Sequence, residues 1–151
     1  MTHFKATRRG IRVQLSPEER IFLGDILPML AGLGAPGSDP AADRLHVPVY
    51  LDDPESNTEW WRLMGADLDA ARDADRAVLR RLIDEYGDLI LDEDEANALL
   101  RVINEARLVL GARLGIEVES DHEDVPEESR RVLDYLGWLL EELTVELSRS
   151  L

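Results

Sequence analysis

The sequence contains no cysteine and a single lysine, Lys5, among its 17 basic residues. Without cysteine the chain can form no disulfide, no thiolate zinc site and no thiol redox switch. No apolar run approaches the roughly 20 residues that span a bilayer. The polar, basic start from Met1 to Arg9 also lacks the apolar segment of a signal peptide. We therefore expect a cytoplasmic protein without membrane contact.

Acidic residues dominate the charge. The 32 acidic and 17 basic residues give a net charge of −15 at pH 7, which opposes binding to nucleic acid. Residues 1–20 hold five basic and two acidic residues and carry +3, so the other 131 residues carry −18. Direct nucleic-acid binding is therefore disfavoured. Arg8, Arg9 and Arg12 form a basic edge, which we expect to be solvated or paired with the acidic body rather than bound to phosphates.

The patterning predicts a mostly α-helical single domain of four to five helices with a small N-terminal β-hairpin. Residues 11–15 alternate apolar and polar, which favours a hairpin over 4–15 with a turn at Arg8-Arg9-Gly10. Ser16 and Glu19 have the spacing of a capping box. Helices are predicted over 16–33, 55–64, 66–86, 92–114 and 126–149, and a loop is predicted over 34–54.

Three residues inside the predicted helices are expected to affect the continuity or packing of those helices. Pro28 should kink or shorten the first helix, because proline has no N–H to donate. Gly65 is expected to separate the second helix from the third. Gly111 lies inside the fourth helix, where glycine costs about 0.5–1 kcal/mol relative to alanine, so a close crossing of another backbone is expected there.

Two acidic runs contain metal-ligating residue types without the spacing of a metal site. The run from Asp92 to Glu95 begins a predicted helix, where negative charge caps the helix and interacts with its dipole. The run from Asp121 to Asp124 fits a solvated loop. No two histidines have the spacing of a helical zinc pair, and no nucleophile-elbow, P-loop or dinucleotide motif occurs. We therefore predict a protein that is not an enzyme and has no cofactor or metal.

Other residues indicate contact with a protein. Neighbouring residues of a helix point about 100° apart, so one ring of Trp60-Trp61 is left for a partner or a second copy, unless both rings cover a broad core edge. Asn104 and Arg107 share a helix face with Gly111 and fit either a partner contact or a polar network with acids of a neighbouring helix. The leucine stripe, spaced 3, 4, 3 and 4 residues, requires an antiparallel or dimeric partner and, with the tryptophan pair, predicts a homodimer. This stripe consists of Leu133, Leu136, Leu140, Leu143 and Leu147.

Residues 100–115, with the sequence LRVINEARLVLGARLG, resemble the signature helix of an actinobacterial family of domains of unknown function. That family includes the AosR oxidative-stress transcriptional regulators. Other pieces of the family pattern are similar to Leu15–Glu18, Tyr50–Pro54, Glu59-Trp60, Arg62-Leu63, Asp67-Leu68, the acidic cap at Leu91–Glu95 and Leu136–Leu139. Trp61 and Met64 depart from that pattern. The resemblance covers nearly the whole chain.

The resemblance implies a cytoplasmic, non-enzymatic regulator of the oxidative-stress response that binds a protein of the transcription machinery, such as a sigma factor. Family members are often encoded beside the ClpS adaptor, which supports an alternative role as an adaptor or partner in Clp proteolysis. Trp61, Asn104, Arg107 and Arg113 are the predicted partner-binding residues. The family's cysteine pair has no counterpart here, so regulation by this chain must act without its own thiol chemistry.

Overall fold

The computed structural model describes residues 3–34, 37–46, 52–85, 87, 89–115 and 125–150. Their order is β1 (Phe4–Thr7), β2 (Gly10–Val13), α1 (Pro17–Gly24), α2 (Ile26–Ala31), α3 (Pro40–Leu45), α4 (Pro54–Asp84), β3 (Leu89–Leu91), α5 (Glu93–Arg113) and α6 (Glu127–Ser150). The prediction of a mostly helical protein with a small N-terminal β-hairpin is confirmed.

The hairpin belongs to a three-stranded antiparallel sheet of order β1-β2-β3. β1 and β2 are joined at Arg8 and Arg9, as predicted, and β2 pairs on its other side with β3. The sequence analysis missed β3, because three residues are too few to show a period of two. One face of the sheet is buried against the helices through Phe4, Ile11 and Leu91.

The helix predicted over 16–33 is divided at Asp25 into α1 and α2. It begins as predicted, since the Ser16 side chain accepts from the Glu19 N–H and the Glu19 side chain accepts from the Ser16 N–H. Pro28 explains the division. It cannot donate to the carbonyl of Gly24, four residues earlier, and its ring crowds that carbonyl, so α1 ends at Gly24.

Two predicted boundaries are wrong. The helices predicted over 55–64 and 66–86 form the single helix α4, which passes through Gly65 without a break. A glycine costs a helix interior only about 1 kcal/mol, too little to end 31 residues of helix. The predicted loop over 34–54 contains α3, which starts at Pro40 with Asp39 as its cap. The acidic loop around 121–124 lies outside the described residues.

The core is arranged around α5, which packs against α3, α4 and α6. Asp92 and Glu95 form a complete capping box at its start, so the capping interpretation of this acidic run is confirmed. The leucine stripe of α6 packs against α5 and the sheet, with Leu136 and Leu143 fully buried. The stripe thus finds its partner inside the chain, which removes it as a reason to expect a dimer. Among the described residues, no helix has the length and apolarity needed to cross a membrane.

Candidate functional site: an aromatic cleft between α1 and α6

A buried histidine connects the N-terminus to α1 and α6. His3 is only 7% exposed, and its Nε2 lies 2.7 Å from Glu19 Oε2 while its Nδ1 lies 3.0 Å from Glu142 Oε2. Both distances are within hydrogen-bond range, so each ring nitrogen of His3 faces a carboxylate oxygen from a different helix. The ring is thereby fixed in position and orientation.

Glu19 has three roles at this junction. It completes the α1 capping box, faces His3, and accepts from the Tyr135 hydroxyl at 2.5 Å. Burial by itself raises the pKa of Glu19, but the hydrogen bonds from Tyr135 and Ser16, together with His3, outweigh burial and hold that pKa below its usual value. Burial and the bond to Glu19 raise the pKa of Tyr135. The carboxyl therefore stays ionised and the phenol stays protonated at neutral pH.

Glu142 fixes the first strand to α6. Its Oε1 accepts from the backbone N–H groups of His3 at 2.6 Å and Phe4 at 3.1 Å, and Glu146 accepts from Ala6 N–H at 3.4 Å. The N–H groups of Phe4 and Ala6 on β1 are thus bonded to glutamates of α6. These bonds attach the first strand to the helix.

Beside this junction is a cleft of about 290 Å³ between α1 and α6. Its walls are Phe22, Val132 and Tyr135, and the Phe22 and Tyr135 rings meet edge to face at 5.3 Å. Charged side chains of Glu18, Glu19 and Arg131 also line it. The same Tyr135 ring also lies edge-on to His3 at 6.2 Å, and the Trp138 ring does so at 5.8 Å.

Trp138 and Ile21 extend the apolar surface on the helices that form the cleft. Trp138 is 57% exposed on α6 although its ring contacts buried His3, and Ile21 is 70% exposed on α1. Sequence analysis missed the site, because His3 and Glu142 are 139 residues apart. The spacing of Tyr135 and Trp138 on α6, three residues apart and beside the leucine stripe, is the one local signal of it.

The four predicted partner-binding residues do not form one site. The ring of Trp61 is partly buried between Trp60 at 4.9 Å and His46 at 4.8 Å. Asn104 is exposed at a depression that also contains Asp75 and Arg101. Trp61 and Asn104 therefore both lie outside the α1–α6 cleft.

The two predicted arginines contact other elements of the same chain. Arg107 lies across α6, where a Cβ placed on Gly137 would be 3.2 Å from the guanidinium carbon. Arg113 forms a two-bond ion pair with Asp39, at 2.6 and 2.9 Å, which joins α5 to the start of α3. The close backbone crossing predicted at Gly111 is not found, since beyond its own helix no atom of the described residues lies within 4 Å of a Cβ added there. At Gly137 the near neighbour is the Arg107 side chain.

A polar network does join neighbouring helices, but it uses other residues than those predicted. Arg101 of α5 donates to both carboxylate oxygens of Asp75 on α4 at 2.8 Å. Glu105 of α5 pairs with Arg72 and Arg76 of α4, each at 3.4 Å. Burial raises the pKa of Glu105 in spite of these two cations. The network holds α4 against α5 and is structural.

The basic edge lies on the hairpin. Arg8 and Arg9 are exposed at its turn, and Arg12 lies opposite Lys5 across the β1–β2 pair. Among the described residues, none of these four side chains forms an ion pair. The expected pairing with the acidic body is therefore not seen there, and solvation is the remaining alternative.

The described residues include no group of three or more histidines and acids that could hold a metal ion. The cleft presents aromatic walls with the carboxylates of Glu18 and Glu19 and the guanidinium of Arg131, and the exposed indole of Trp138 lies on the same helix.

Comparison with family models gives one match over most of the chain, a domain of unknown function (DUF2017), which covers residues 1–147. Neither the curated proteins nor the solved structures contain a match.

Proposed function

Since the chain belongs to the DUF2017 family, a domain of unknown function, we propose that it is a non-enzymatic regulatory protein that acts by binding another protein. The supporting observation is the α1–α6 cleft lined by Phe22 and Tyr135, together with exposed Trp138 nearby on α6. The Tyr135 hydroxyl is bonded to Glu19, and the Tyr135 and Trp138 rings both lie edge-on to buried His3. Tryptophan and tyrosine dominate binding energy at protein interfaces, and rings that are already fixed lose little entropy on binding.

The size of the cleft favours a protein partner. Small-molecule sites usually enclose about 300–1,000 Å³, and this cleft of about 290 Å³ is at the low end and open at the surface. It suits one bulky apolar side chain of a partner, with Trp138 packing beside it. The carboxylate of Glu18 at the rim would then contact polar groups around that anchor.

The partner we propose is a component of the cytoplasmic transcription machinery, such as a sigma factor, in an oxidative-stress response like that of the AosR regulators. This part of the proposal rests on the sequence resemblance. The absence of cysteine means that the stress signal must come from the partner or from the amount of protein, and not from a thiol of this chain. The alternative role in Clp proteolysis rests on the resemblance alone and stays a prediction.

The test is direct binding to purified sigma factors and RNA polymerase core from the source organism, measured by calorimetry. Trp138→Ala should weaken binding at least tenfold, because an exposed interface tryptophan is truncated. Val145→Ala is the matched control, since Val145 is 45% exposed on the same helix and outside the cleft. Equal affinities of the two variants would place the contact elsewhere. No binding to any transcription protein, in purified form or in pull-downs from stressed and unstressed cells, would contradict the proposal.

A further inference from the structure

The N-terminal two-thirds of α4 contributes nothing to the core. None of residues 54–74 is buried, and the buried residues of the helix, Asp75, Leu79 and Leu82, all lie in its last third. The exposed segment also contains Leu63, which is 62% exposed. One side of this segment contacts α3 and α5 through Trp61 and Arg72. The side that contains Leu63 is exposed, and packing of such a face against a partner would stabilise the helix further.

That face follows a heptad repeat. The positions are Trp60, Leu63, Asp67, Ala70, Ala74 and Ala77, separated by 3, 4, 3, 4 and 3 residues. This spacing places them on one stripe, as at the a and d positions of a coiled coil. Trp60 is half-buried, and the other five are exposed. We call these six residues the α4 stripe.

The large and small side chains of the α4 stripe lie at opposite ends of it. Its large residues, Trp60 and Leu63, lie at the N-terminal end, and its C-terminal end is formed by Ala70, Ala74 and Ala77. A parallel pair of such helices would set tryptophan against tryptophan and alanine against alanine. An antiparallel pair sets each large residue against a small one, the interdigitation that close-packed interfaces require.

We propose that α4 is a self-association surface on which a second copy of this chain binds antiparallel, about a twofold axis between Asp67 and Ala70. In antiparallel coiled-coil register an a position faces a d position. Trp60 then packs on Ala77 of the second copy, Leu63 on Ala74, and Asp67 beside Ala70. A twofold axis makes every contact occur twice, which closes the assembly at a dimer.

The charges beside the stripe fit the same register. Glu59 and Arg80 occupy equivalent positions along one flank of the α4 stripe, and in the antiparallel pair Glu59 of one copy faces Arg80 of the other. Arg80 is exposed and forms no ion pair within the described part of the chain. Glu59 is paired only with Arg62, three residues later, in an exposed contact. Opposite charges flanking a helix pair select its orientation.

Engineered cysteines test the register directly, because the native chain has none. Leu63→Cys mixed with Ala74→Cys should form a disulfide-linked dimer under mild oxidation. Leu63→Cys alone should not, since the two copies of residue 63 lie 11 positions apart along the antiparallel pair, roughly 16 Å at 1.5 Å per residue. Cross-linking of Leu63→Cys with itself, without the mixed product, would overturn the antiparallel register.

Sedimentation equilibrium tests the association itself. The wild type should change with concentration from the 17.0 kDa monomer to twice that mass. Leu63→Asp should raise the dimer dissociation constant at least tenfold. Val145→Asp, the same change at an exposed apolar residue of α6, should leave it unchanged. A wild-type chain that stays monomeric to high micromolar concentration, or equal effects of the two variants, would overturn the proposal.

Charge-reversal variants of Glu59 and Arg80 test whether these two residues face each other, because a double variant should rescue the single ones. Glu59→Arg and Arg80→Glu should each weaken the dimer severalfold, because each variant sets like charges together at both ends of the pair. The double variant should regain most of the wild-type affinity, since it exchanges the two charges. A double variant weaker than either single one would contradict the facing of these residues.

Discussion

At the residue scale, Gly10 is the position where the sheet has no room for a side chain. Its φ is +140°, and a Cβ added there would lie 2.2 Å from the carbonyl oxygen of Leu91 on β3. The sequence predicted Gly10 as a turn residue, but the reason for glycine comes from a strand 80 residues later. Local turn preference and a long-range contact coincide at this one residue.

Gly10→Ala should therefore destabilise the protein by about 1–3 kcal/mol, the cost of holding a residue other than glycine in a sparsely populated backbone conformation, with the Leu91 contact adding to it. Urea unfolding followed by circular dichroism measures this. Gly87→Ala is the control, because Gly87 also has positive φ, +105°, but no described residue has an atom within 4 Å of the added Cβ. Equal losses in the two variants would show that backbone conformation alone accounts for the effect.

At the element scale, α4 shows how far a local pattern can be trusted. Asp53 caps the helix and Pro54 occupies its first position, and both signals are readable in the sequence. The break predicted at Gly65 does not occur, because a single glycine cannot outweigh the helix on either side. Whether α4 packs against the core or extends into solvent depends on α3 and α5, which no local pattern specifies.

Gly65→Ala should stabilise the protein by about 0.5–1 kcal/mol, the difference in helix propensity between the two residues. Beyond its own helix, no atom of the described residues lies within 4 Å of a Cβ at Gly65, so no packing cost from them opposes this gain. The same unfolding assay checks it, with Gly137→Ala as the contrasting variant, since there the added Cβ meets the Arg107 guanidinium. A loss of stability in Gly65→Ala would mean that this side of α4 is covered.

At the scale of the whole molecule, several arginines connect different elements of the chain. Arg113 joins α5 to α3, Arg101 joins α5 to α4, and Arg20 donates to the carbonyls of Leu82 and Glu85 at the end of α4. These connections differ from solvated charges because their acceptors are partly buried. Folding should therefore depend on the ionisation of specific carboxylates.

Asp39 should make the largest such contribution to the dependence of stability on pH. The hydrogen bonds from Arg113, and those from the Gly34 and Ala41 N–H groups, hold its pKa well below the usual 3.8. A carboxyl whose pKa is lower in the folded state stabilises the fold above its unfolded pKa and loses this effect as pH falls toward the folded value. The pKa of Glu19 is also lowered in the folded state, so Glu19 stabilises the fold in the same pH range. The raised pKa of Glu105 has the opposite effect on the pH dependence.

Asp39→Asn should thus destabilise the protein most at pH 7. The difference in free energy of unfolding between this variant and the wild type should become smaller below about pH 3.8. Urea midpoints measured from pH 7 to pH 2 test this. Glu128→Gln, which removes one exposed acid from the first turn of α6, is the control and should differ little from the wild type at any pH. A difference for Asp39→Asn that does not change with pH would contradict the role of its charge.

What the sequence determined by itself are the features set by residues within one or two helical turns. Both capping boxes, the turn at Arg8 and Arg9 and the end of α1 before Pro28 are of this kind, because hydrogen bonds and steric contacts between near neighbours decide them. The resemblance in residues 100–115 also pointed to the family, though not to where its residues would lie.

Only the tertiary structure decided which surfaces remain for partners. The leucine stripe packs inside the chain, and Arg107 and Arg113 contact α6 and α3. The cleft is formed by residues of α1 and α6 that are more than 100 residues apart in sequence. Each of these outcomes depends on contacts between residues far apart in sequence. The periodic spacing of apolar residues in the sequence indicates that a helix has an apolar face. Only tertiary packing determines whether another element of the same chain covers that face.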